Sequence, residues 1–199
     1  MSALLPVSLD LARLSVVLIG NGTRAERRLR LLDETGAGRL SVFSADPVTE
    51  LSARAGDRLR RRLPTATDLN RASIVFIADL NADEARAIAD LAREAGALVN
   101  VEDVTGACDF HSAAVVRRGD LAIGITTGGR CPMLARVLKQ WLERVLPANF
   151  AHIVAALSGQ RSRLKQDGAG HAPLEATAIR AVVGLDALLY SRSLHTNQT

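Results

Sequence analysis

The feature that most constrains the fold is an apolar run that ends in a glycine turn. Residues 14–19, Leu-Ser-Val-Val-Leu-Ile, are almost continuously apolar and are followed by Gly20. This pattern is typical of a strand buried on both faces of a parallel sheet. From Thr23 onward apolar residues recur at helical spacing until Gly36, which ends the run. The sequence therefore predicts a strand, a tight turn and a helix.

The same alternation continues to about residue 112. It predicts strands over 40–44, 73–78 and 97–100, helices over 46–55 and 83–95, and an edge strand with a loop over 57–70. Short strands that alternate with helices of this length indicate an α/β fold with a Rossmann-like, doubly wound parallel sheet.

The pattern changes after residue 112. It predicts two strands joined by a tight turn, over 113–116 and 121–126, and then helices over 133–146, 149–166 and 173–191. Pro132 suits the first turn of the first of these helices. We expect three parts: a Rossmann domain over 1–112, a connecting segment over 113–147 and a small helical domain over 148–199.

Composition excludes several classes of protein. Hydrophobic residues make up 48% of the chain and charged residues 23%, which is typical of a chain that folds around a core and excludes disorder as the main state. Aromatic residues make up only 3%, too few for a stacking platform, so no nucleic-acid partner is expected. The net charge of +4 is carried mainly by arginines, whose guanidinium groups suit carboxylates and phosphates.

Targeting and cysteine patterns indicate a cytoplasmic protein. The N-terminus lacks an export signal and no apolar run is long enough to span a membrane. The two cysteines, Cys108 and Cys131, are expected to be small, half-buried thiols in a reducing compartment. The four histidines have no ligand spacing, so no metal site is expected.

The first candidate site is the turn over residues 20–25, Gly-Asn-Gly-Thr-Arg-Ala, between the first strand and the first helix. A dinucleotide-binding turn needs a glycine for the tight bend, a second for close approach of the pyrophosphate, and a small third residue. The helix start then offers N–H groups to the phosphates. The alternative is a glycine turn that binds nothing.

An acidic residue for the cofactor ribose is expected near the end of the second strand. Asp46 follows Ser44 by two residues and is a candidate for this role. It is equally a candidate to cap a helix that begins at Pro47. The choice between NAD and NADP stays open on this observation.

Two further candidates lie later in the chain. Asp103 follows the strand at 97–100, where a carboxylate faces the cofactor crevice and suits a general base; an ordinary loop acid is the alternative. Glu102 precedes it and, by strand alternation, is expected to point the other way. The turn over 126–132, Thr-Thr-Gly-Gly-Arg-Cys-Pro, suits an anionic group or is a plain connection.

These motifs, in this order, resemble the precorrin-2 dehydrogenase / sirohydrochlorin ferrochelatase family, which corresponds to the N-terminal half of siroheme synthase. The resemblance covers roughly residues 4–165 and rests on the segments 20–27, 100–103, 108–110, 116–123 and 126–136. Several linked motifs in the expected order are more specific than any one of them. The sequence departs from the family at Asp79, Leu80 and Asn81, where Thr-Asp-Asp is usual, and at Cys131, where a serine is usual.

The resemblance implies an NAD-dependent oxidation of precorrin-2 to sirohydrochlorin and, in many members, insertion of ferrous iron as a second substrate. It implies a homodimer in which 113–147 is a dimerisation segment. Because the sequence ends at Thr199, no methyltransferase domain is expected to follow. The implied catalytic residue is Asp103. The implied cofactor-binding residues are Gly20, Asn21, Gly22, Thr23, Arg24, Ala45, Asp46 and Asp79. The implied tetrapyrrole-binding residues are Thr127, Gly128 and Arg130, with Arg117 and Arg118 as further candidates for the substrate carboxylates.

Two other functions stay open. One is a dehydrogenase without chelatase activity that feeds siroheme or cobalamin synthesis. The other is a non-catalytic Rossmann module that senses NAD, which explains the glycine turn but gives no reason for Asp103 and the Thr127 turn to occur together.

Overall fold

A computed structural model describes residues 4–168 and 174–184 of the chain. Contacts between Cα atoms divide the protein into two compact units, Met1–His111 and Ser112–Thr199. Each unit is built around its own sheet, so each is described by itself.

The first unit contains a five-stranded parallel sheet. The strands are β1 (Ser15–Gly20), β2 (Arg39–Phe43), β3 (Leu59–Arg60), β4 (Ile74–Ala78) and β5 (Leu98–Val101). The helices are α1 (Thr23–Glu34), α2 (Thr49–Ala55), α3 (Ala66–Leu69) and α4 (Ala82–Glu94). The strand order is β3-β2-β1-β4-β5, and every neighbouring pair is parallel. The predicted doubly wound sheet is confirmed.

The apolar run that opens the chain is buried because helices cover both faces of the sheet. Val17 and Ile19 belong to a cluster with α3 and α4, whereas Val16 and Leu18 pack with α1 and α2. Alternate residues of β1 therefore enter two different cores, which explains why nearly every position of this strand is apolar. The order of the strands places β1 between β2 and β4, so its carboxyl end lies at the switch point of the sheet.

Two local predictions in the first unit are wrong. The second helix begins at Thr49, not at Pro47, because Val48 is still extended and takes the N-cap position. The segment 57–70 contains the expected edge strand and also the short helix α3. A capping box at its start, between Thr65 and Asp68, stabilises this single turn.

The second unit begins with an antiparallel hairpin, followed by helices. The elements are β6 (Ala114–Arg118), β7 (Leu121–Ile125), α5 (Pro132–Val145) and α6 (Phe150–Gln166), and residues 174–184 are also helical. Pro132 is in the first turn of α5, as predicted. The final helix was predicted over 173–191, and 173 and 185–191 lie outside the described residues. Among the described residues, no helix combines the length and the apolar character that a membrane span requires.

Candidate functional site

The glycine turn between β1 and α1 lies close to β4. A Cβ atom on Gly20 would collide with the carbonyl oxygen of Ala78 and would lie 2.9 Å from the Cβ of Ala25. A Cβ atom on Gly22 would lie 2.7 Å from Oδ2 of Asp79. Gly20 is therefore required by the close approach of the β4 backbone, and Gly22 leaves room for the Asp79 carboxylate, as in a dinucleotide-binding turn.

Asn21 links the glycine turn to the end of β2. Its Oδ1 accepts hydrogen bonds from Oγ of Ser44 at 2.8 Å and from the backbone N–H of Asp46 at 3.3 Å. Its backbone oxygen accepts the N–H of Val48 at 2.8 Å. These bonds bring the predicted cofactor residues Asn21 and Asp46 together. Ala45 and Asp46 are exposed beside them. Asp46 does not cap α2, so the capping alternative is wrong.

Asp79 caps the first turn of α1, although it follows β4. Its Oδ2 accepts the backbone N–H groups of Arg24 at 2.8 Å and of Ala25 at 3.1 Å. The residue has a φ of 54°, in the left-handed region that is uncommon outside glycine. The start of α1 thus holds a negatively charged group, because its N–H groups and its dipole favour anions there. The anion-holding helix start and the close-fitting glycine turn together fit the pyrophosphate of a dinucleotide.

Asp103, the predicted catalytic residue, lies at the same edge of the sheet. Its Oδ2 is 2.5 Å from an amino nitrogen of Arg24, and Nε of Arg24 lies 3.9 Å from Oδ1 of Asp79. Asp103 also has a positive φ, of 63°. Its side chain is 67% exposed, so the carboxylate is open to solvent as well as paired. The predicted cofactor turn and the predicted catalytic carboxylate are therefore joined through Arg24.

Glu102 does not point away from α1, so the prediction from strand alternation is wrong. Its Oε2 lies 3.8 Å from the guanidinium of Arg28, one helical turn after Arg24. Strand β5 ends at Val101, and beyond it the alternation of a strand no longer applies. Within the described residues, no hydrogen bond reaches the buried Oε2 of Glu102. Burial raises the pKa of this carboxyl, and the charge of Arg28 opposes that shift.

Sequence reasoning missed the contacts of Arg28. Its Cζ lies 4.9 Å from the ring centre of Phe76, and the ring of Phe110 meets that of Phe76 edge-on at 5.4 Å. Burial lowers the pKa of the Arg28 guanidinium. The available signal was its position four residues after Arg24, which places both arginines on one side of α1.

The segment over 108–110 proves to support the site. The Sγ atom of Cys108 donates to the carbonyl oxygen of Val101 at 3.1 Å. Oδ2 of Asp109 accepts the N–H of Val99 at 2.9 Å, and Asn100 Nδ2 donates to the Phe110 oxygen at 2.9 Å. These bonds close the loop that carries Asp103. Cys108 is half-buried as predicted, whereas Cys131 is exposed, so that part of the prediction is wrong.

The predicted substrate-binding turn lies in the second unit, between β7 and α5. Oγ1 of Thr127 accepts the N–H of Cys131 at 3.1 Å, and the Thr127 carbonyl oxygen accepts the N–H of Arg130 at 3.2 Å. Gly128 has a φ of 62°, which favours glycine. Arg118, a further candidate for the substrate carboxylates, donates instead to backbone carbonyl oxygens. Two of them, of Leu146 and Glu143, lie near the end of α5, and the third belongs to its neighbour Arg117.

In the described ranges, 4–168 and 174–184, no group of three or more His, Cys, Asp or Glu side chains has the arrangement of a metal site. This finding concerns only a metal ion that the protein itself holds. Insertion of a substrate metal ion into a macrocycle needs a base for the pyrrole protons, and it does not require a cluster of metal-ligating side chains.

Comparisons with known proteins agree with this geometry. The family NAD_binding_7, described as NAD(P)-binding, matches residues 7–114. Siroheme synthase from Methylococcus capsulatus is 33% identical over 165 residues, which cover 81% of this chain and 35% of that protein. Siroheme synthase 1 from Aeromonas salmonicida has the same identity and coverage. The chain thus spans about a third of the length of these relatives.

A solved structure also resembles the chain. SirC, a precorrin-2 dehydrogenase, has a TM-score of 0.68 and 22% sequence identity, with 87% of this chain and 86% of that chain covered. At this identity the likeness concerns the fold. The family match spans more than half of the chain and includes the glycine turn, Asp79 and Asp103. The chain therefore belongs to the NAD_binding_7 family of NAD(P)-binding domains, and its resemblance to siroheme synthases and precorrin-2 dehydrogenases, predicted from motifs, is confirmed.

Proposed function

We propose that the chain catalyses the NAD-dependent dehydrogenation of precorrin-2 to sirohydrochlorin in siroheme biosynthesis. Relatives named siroheme synthase and a structural neighbour named precorrin-2 dehydrogenase support this reaction. The single observation that carries the proposal is the 2.5 Å pair between Arg24, in the cofactor turn, and Asp103. A sensor that only binds NAD has no need of a carboxylate at this position.

The residues of the turn have separate roles in binding. Gly20 and Gly22 let the pyrophosphate approach the backbone, and the start of α1 stabilises its charge. The carboxylate of Asp46, next to Ala45 at the end of β2, is proposed to accept hydrogen bonds from ribose hydroxyls, and its exposure supports this role. A ribose 2′-phosphate would meet this negative charge, so we propose NAD and not NADP as the cofactor.

Asp103 acts as the general base. Bound NAD supplies the hydride acceptor for the reaction. Dehydrogenation removes one hydride and one proton from the macrocycle, and the carboxylate of Asp103 takes the proton while the substrate gains a double bond. Its exposure of 67% leaves it open to a large substrate.

Substrate binding is assigned to the turn between β7 and α5. Precorrin-2 is a polycarboxylate, and guanidinium groups and backbone N–H groups bind carboxylates through charge-assisted hydrogen bonds. Thr127 and Gly128 shape this turn, and Arg130 supplies its positive charge. Arg117 is exposed and is a second candidate cation.

Ferrous iron is proposed as a second substrate. Insertion of iron into sirohydrochlorin releases two pyrrole protons, and a solvent-accessible carboxylate such as Asp103 can accept them in turn. A dehydrogenase that lacks this second step uses the same residues for the first. An experiment therefore has to separate the enzyme with both activities from the dehydrogenase alone.

The protein is also proposed to be a cytoplasmic homodimer, with 113–147 as the dimerisation segment between the Rossmann domain and the helical domain. Support comes from helix α5, which exposes large apolar side chains in a single copy of the protein. They are Met133, Leu134, Val137, Leu138 and Trp141. Two cysteines that are not joined in a disulfide agree with a reducing compartment.

The test is one coupled assay. Purified protein is mixed with NAD and precorrin-2, and we expect NADH formation together with the absorption spectrum of sirohydrochlorin. Asp103→Ala is expected to abolish both signals, whereas Asp90→Ala, on the exposed face of α4, is the matched control that retains them. If the natural protein does not reduce NAD, the proposed reaction is wrong and the non-catalytic NAD-sensing module remains as the function.

Ferrous iron is added to the same mixture in a second stage. Loss of sirohydrochlorin faster than in the protein-free reaction supports insertion of iron by the enzyme. Loss at the uncatalysed rate supports the dehydrogenase alone.

A further inference from the structure

The carboxylate of Asp79 occupies the place where the proposed cofactor needs donors. Its Oδ2 accepts the N–H groups of Arg24 and Ala25 at 2.8 and 3.1 Å, in the first turn of α1. The same oxygen would lie 2.7 Å from a Cβ atom on Gly22. The carboxylate thus lies over the second glycine and against the helix start, the two features that receive a pyrophosphate in a dinucleotide-binding turn.

We propose that Asp79 is an internal competitor of the cofactor, which sets a weak affinity by holding the phosphate position until the pyrophosphate displaces its side chain. This inference rests on the proposed use of NAD, and it gives Asp79 a role opposite to a cofactor ligand. Removing its charge then strengthens binding, whereas removing a ligand would weaken it.

The backbone of Asp79 keeps its carboxylate at the glycine turn. A φ of 54° is uncommon for a residue with a side chain, and such a conformation is retained where the surrounding structure enforces it. The carboxylate is mostly buried, at 21% exposure, so it lies close to the pyrophosphate position without full screening by water. A negative charge held in this way repels an incoming pyrophosphate more strongly than a surface acid does.

Arg24 already lies near the Asp79 carboxylate and can keep it as a partner after displacement. Its Nε is 3.9 Å from Oδ1 of Asp79 while its guanidinium pairs with Asp103. The Arg24 and Asp103 side chains are 45% and 67% exposed, so water partly screens this pair and the guanidinium can also approach Asp79. Asp79 can therefore leave the N–H groups of α1 and move toward the guanidinium without losing all of its interactions.

The experiment measures binding, not turnover. Isothermal titration gives the dissociation constants of NAD and of inorganic pyrophosphate for the natural protein, for Asp79→Asn and for Asp90→Asn. Asparagine keeps an oxygen that caps α1 and tolerates a positive φ, so the local structure is retained. Asp90 lies about two turns after the start of α4 and its side chain is exposed, so Asp90→Asn is the matched loss of one charge.

We expect Asp79→Asn to bind both NAD and pyrophosphate about tenfold more tightly, with no change for Asp90→Asn. Asp79→Gly, which also suits the positive φ, is expected to change affinity in the same direction. Unchanged or weaker binding by folded Asp79→Asn and Asp79→Gly would overturn the inference. Thermal unfolding and circular dichroism establish that each variant is folded.

The outcome is separable from the proposed function. A natural protein that binds NAD but does not oxidise precorrin-2 contradicts the proposed reaction, and the affinity order of the variants still tests Asp79. A natural protein that oxidises precorrin-2 while all variants bind NAD equally contradicts only the role of Asp79. Absence of NAD and pyrophosphate binding in every folded variant contradicts both.

Discussion

The two units of the protein differ in how much apolar surface each one buries. The first unit has two large clusters of buried residues, one on each face of its sheet. Among the described residues of the second unit, a small cluster contains two buried residues, Leu146 and Phe150, each 8% exposed, with partly buried neighbours around them. Helix α5 meanwhile exposes several large apolar side chains, among them Trp141 at 50%.

The amount of buried apolar surface indicates which unit supplies its own stability. Burial of apolar surface is the main favourable term in folding, so the first unit is expected to fold on its own core. The second unit leaves apolar surface exposed on a single chain, and exposed apolar surface of this kind marks an interaction site. The proposed dimer would complete the core of the second unit.

The largest effect is expected in the core of the first unit. Leu18 belongs to β1, is 0% exposed and packs against helices α1 and α2. Leu18→Ala is expected to lower the free energy of unfolding by about 2–5 kcal/mol, because it leaves a cavity. Leu142→Ala, a partly buried position of the second unit, is the matched substitution and should cost less. Urea unfolding monitored by circular dichroism measures both, and equal losses would remove the distinction between the units.

A smaller effect is expected on α5, and it should appear in association. Trp141→Ala removes the largest exposed apolar side chain of this helix, and a buried tryptophan at an interface contributes about 2 kcal/mol or more. Sedimentation velocity is expected to show a dimer for the natural protein and dissociation for the variant. Gln140→Ala, next to it on α5 and also exposed, should leave the dimer intact. A natural protein that sediments as a monomer would contradict the dimer.

The smallest effect is expected at Glu102, in the first unit. Burial raises its pKa above the ordinary value of 4.5, so the folded protein binds more protons there than the unfolded chain does. Stability should therefore fall as the pH rises from about 4.5 through the raised pKa, and stay lower at neutral pH. Glu102→Gln removes this cost, with a gain below about 1 kcal/mol at pH 7 and a flatter pH profile. A loss of stability at pH 7 would mean that the pair with Arg28 outweighs burial.

Most of the fold of the first unit could be predicted from the sequence, because most of its strands and helices have a characteristic local spacing of apolar residues. The run of apolar residues before Gly20 reflects burial on both faces of a sheet, and the helical spacing after Thr23 reflects the one buried face of a helix. Boundaries were less predictable: Pro47 suits a helix start, yet α2 begins two residues later. The choice depends on the hydrogen bond between Val48 and Asn21, a contact across the sheet edge that no local pattern records.

The residues of the candidate site could be predicted from the sequence, but the contacts that join them could not. The motifs indicated the glycine turn and Asp103 separately. They did not indicate that Arg24 joins them, nor that the Asp79 carboxylate, 55 residues further along, caps α1. Glu102 was misplaced because alternation was extended beyond the end of β5.

The parallel strands, the glycine turn and the acidic residue after β5 follow from the amino-acid sequence alone, since each depends on a few consecutive residues. The meeting of the loops after β4 and β5 with the start of α1 becomes visible only in the folded protein. Their meeting depends on the strand order, in which β1 lies beside β4 and β4 beside β5. That order is set by long-range packing of two cores, so Asp79, Arg24 and Asp103 come together without any signal in their spacing along the chain.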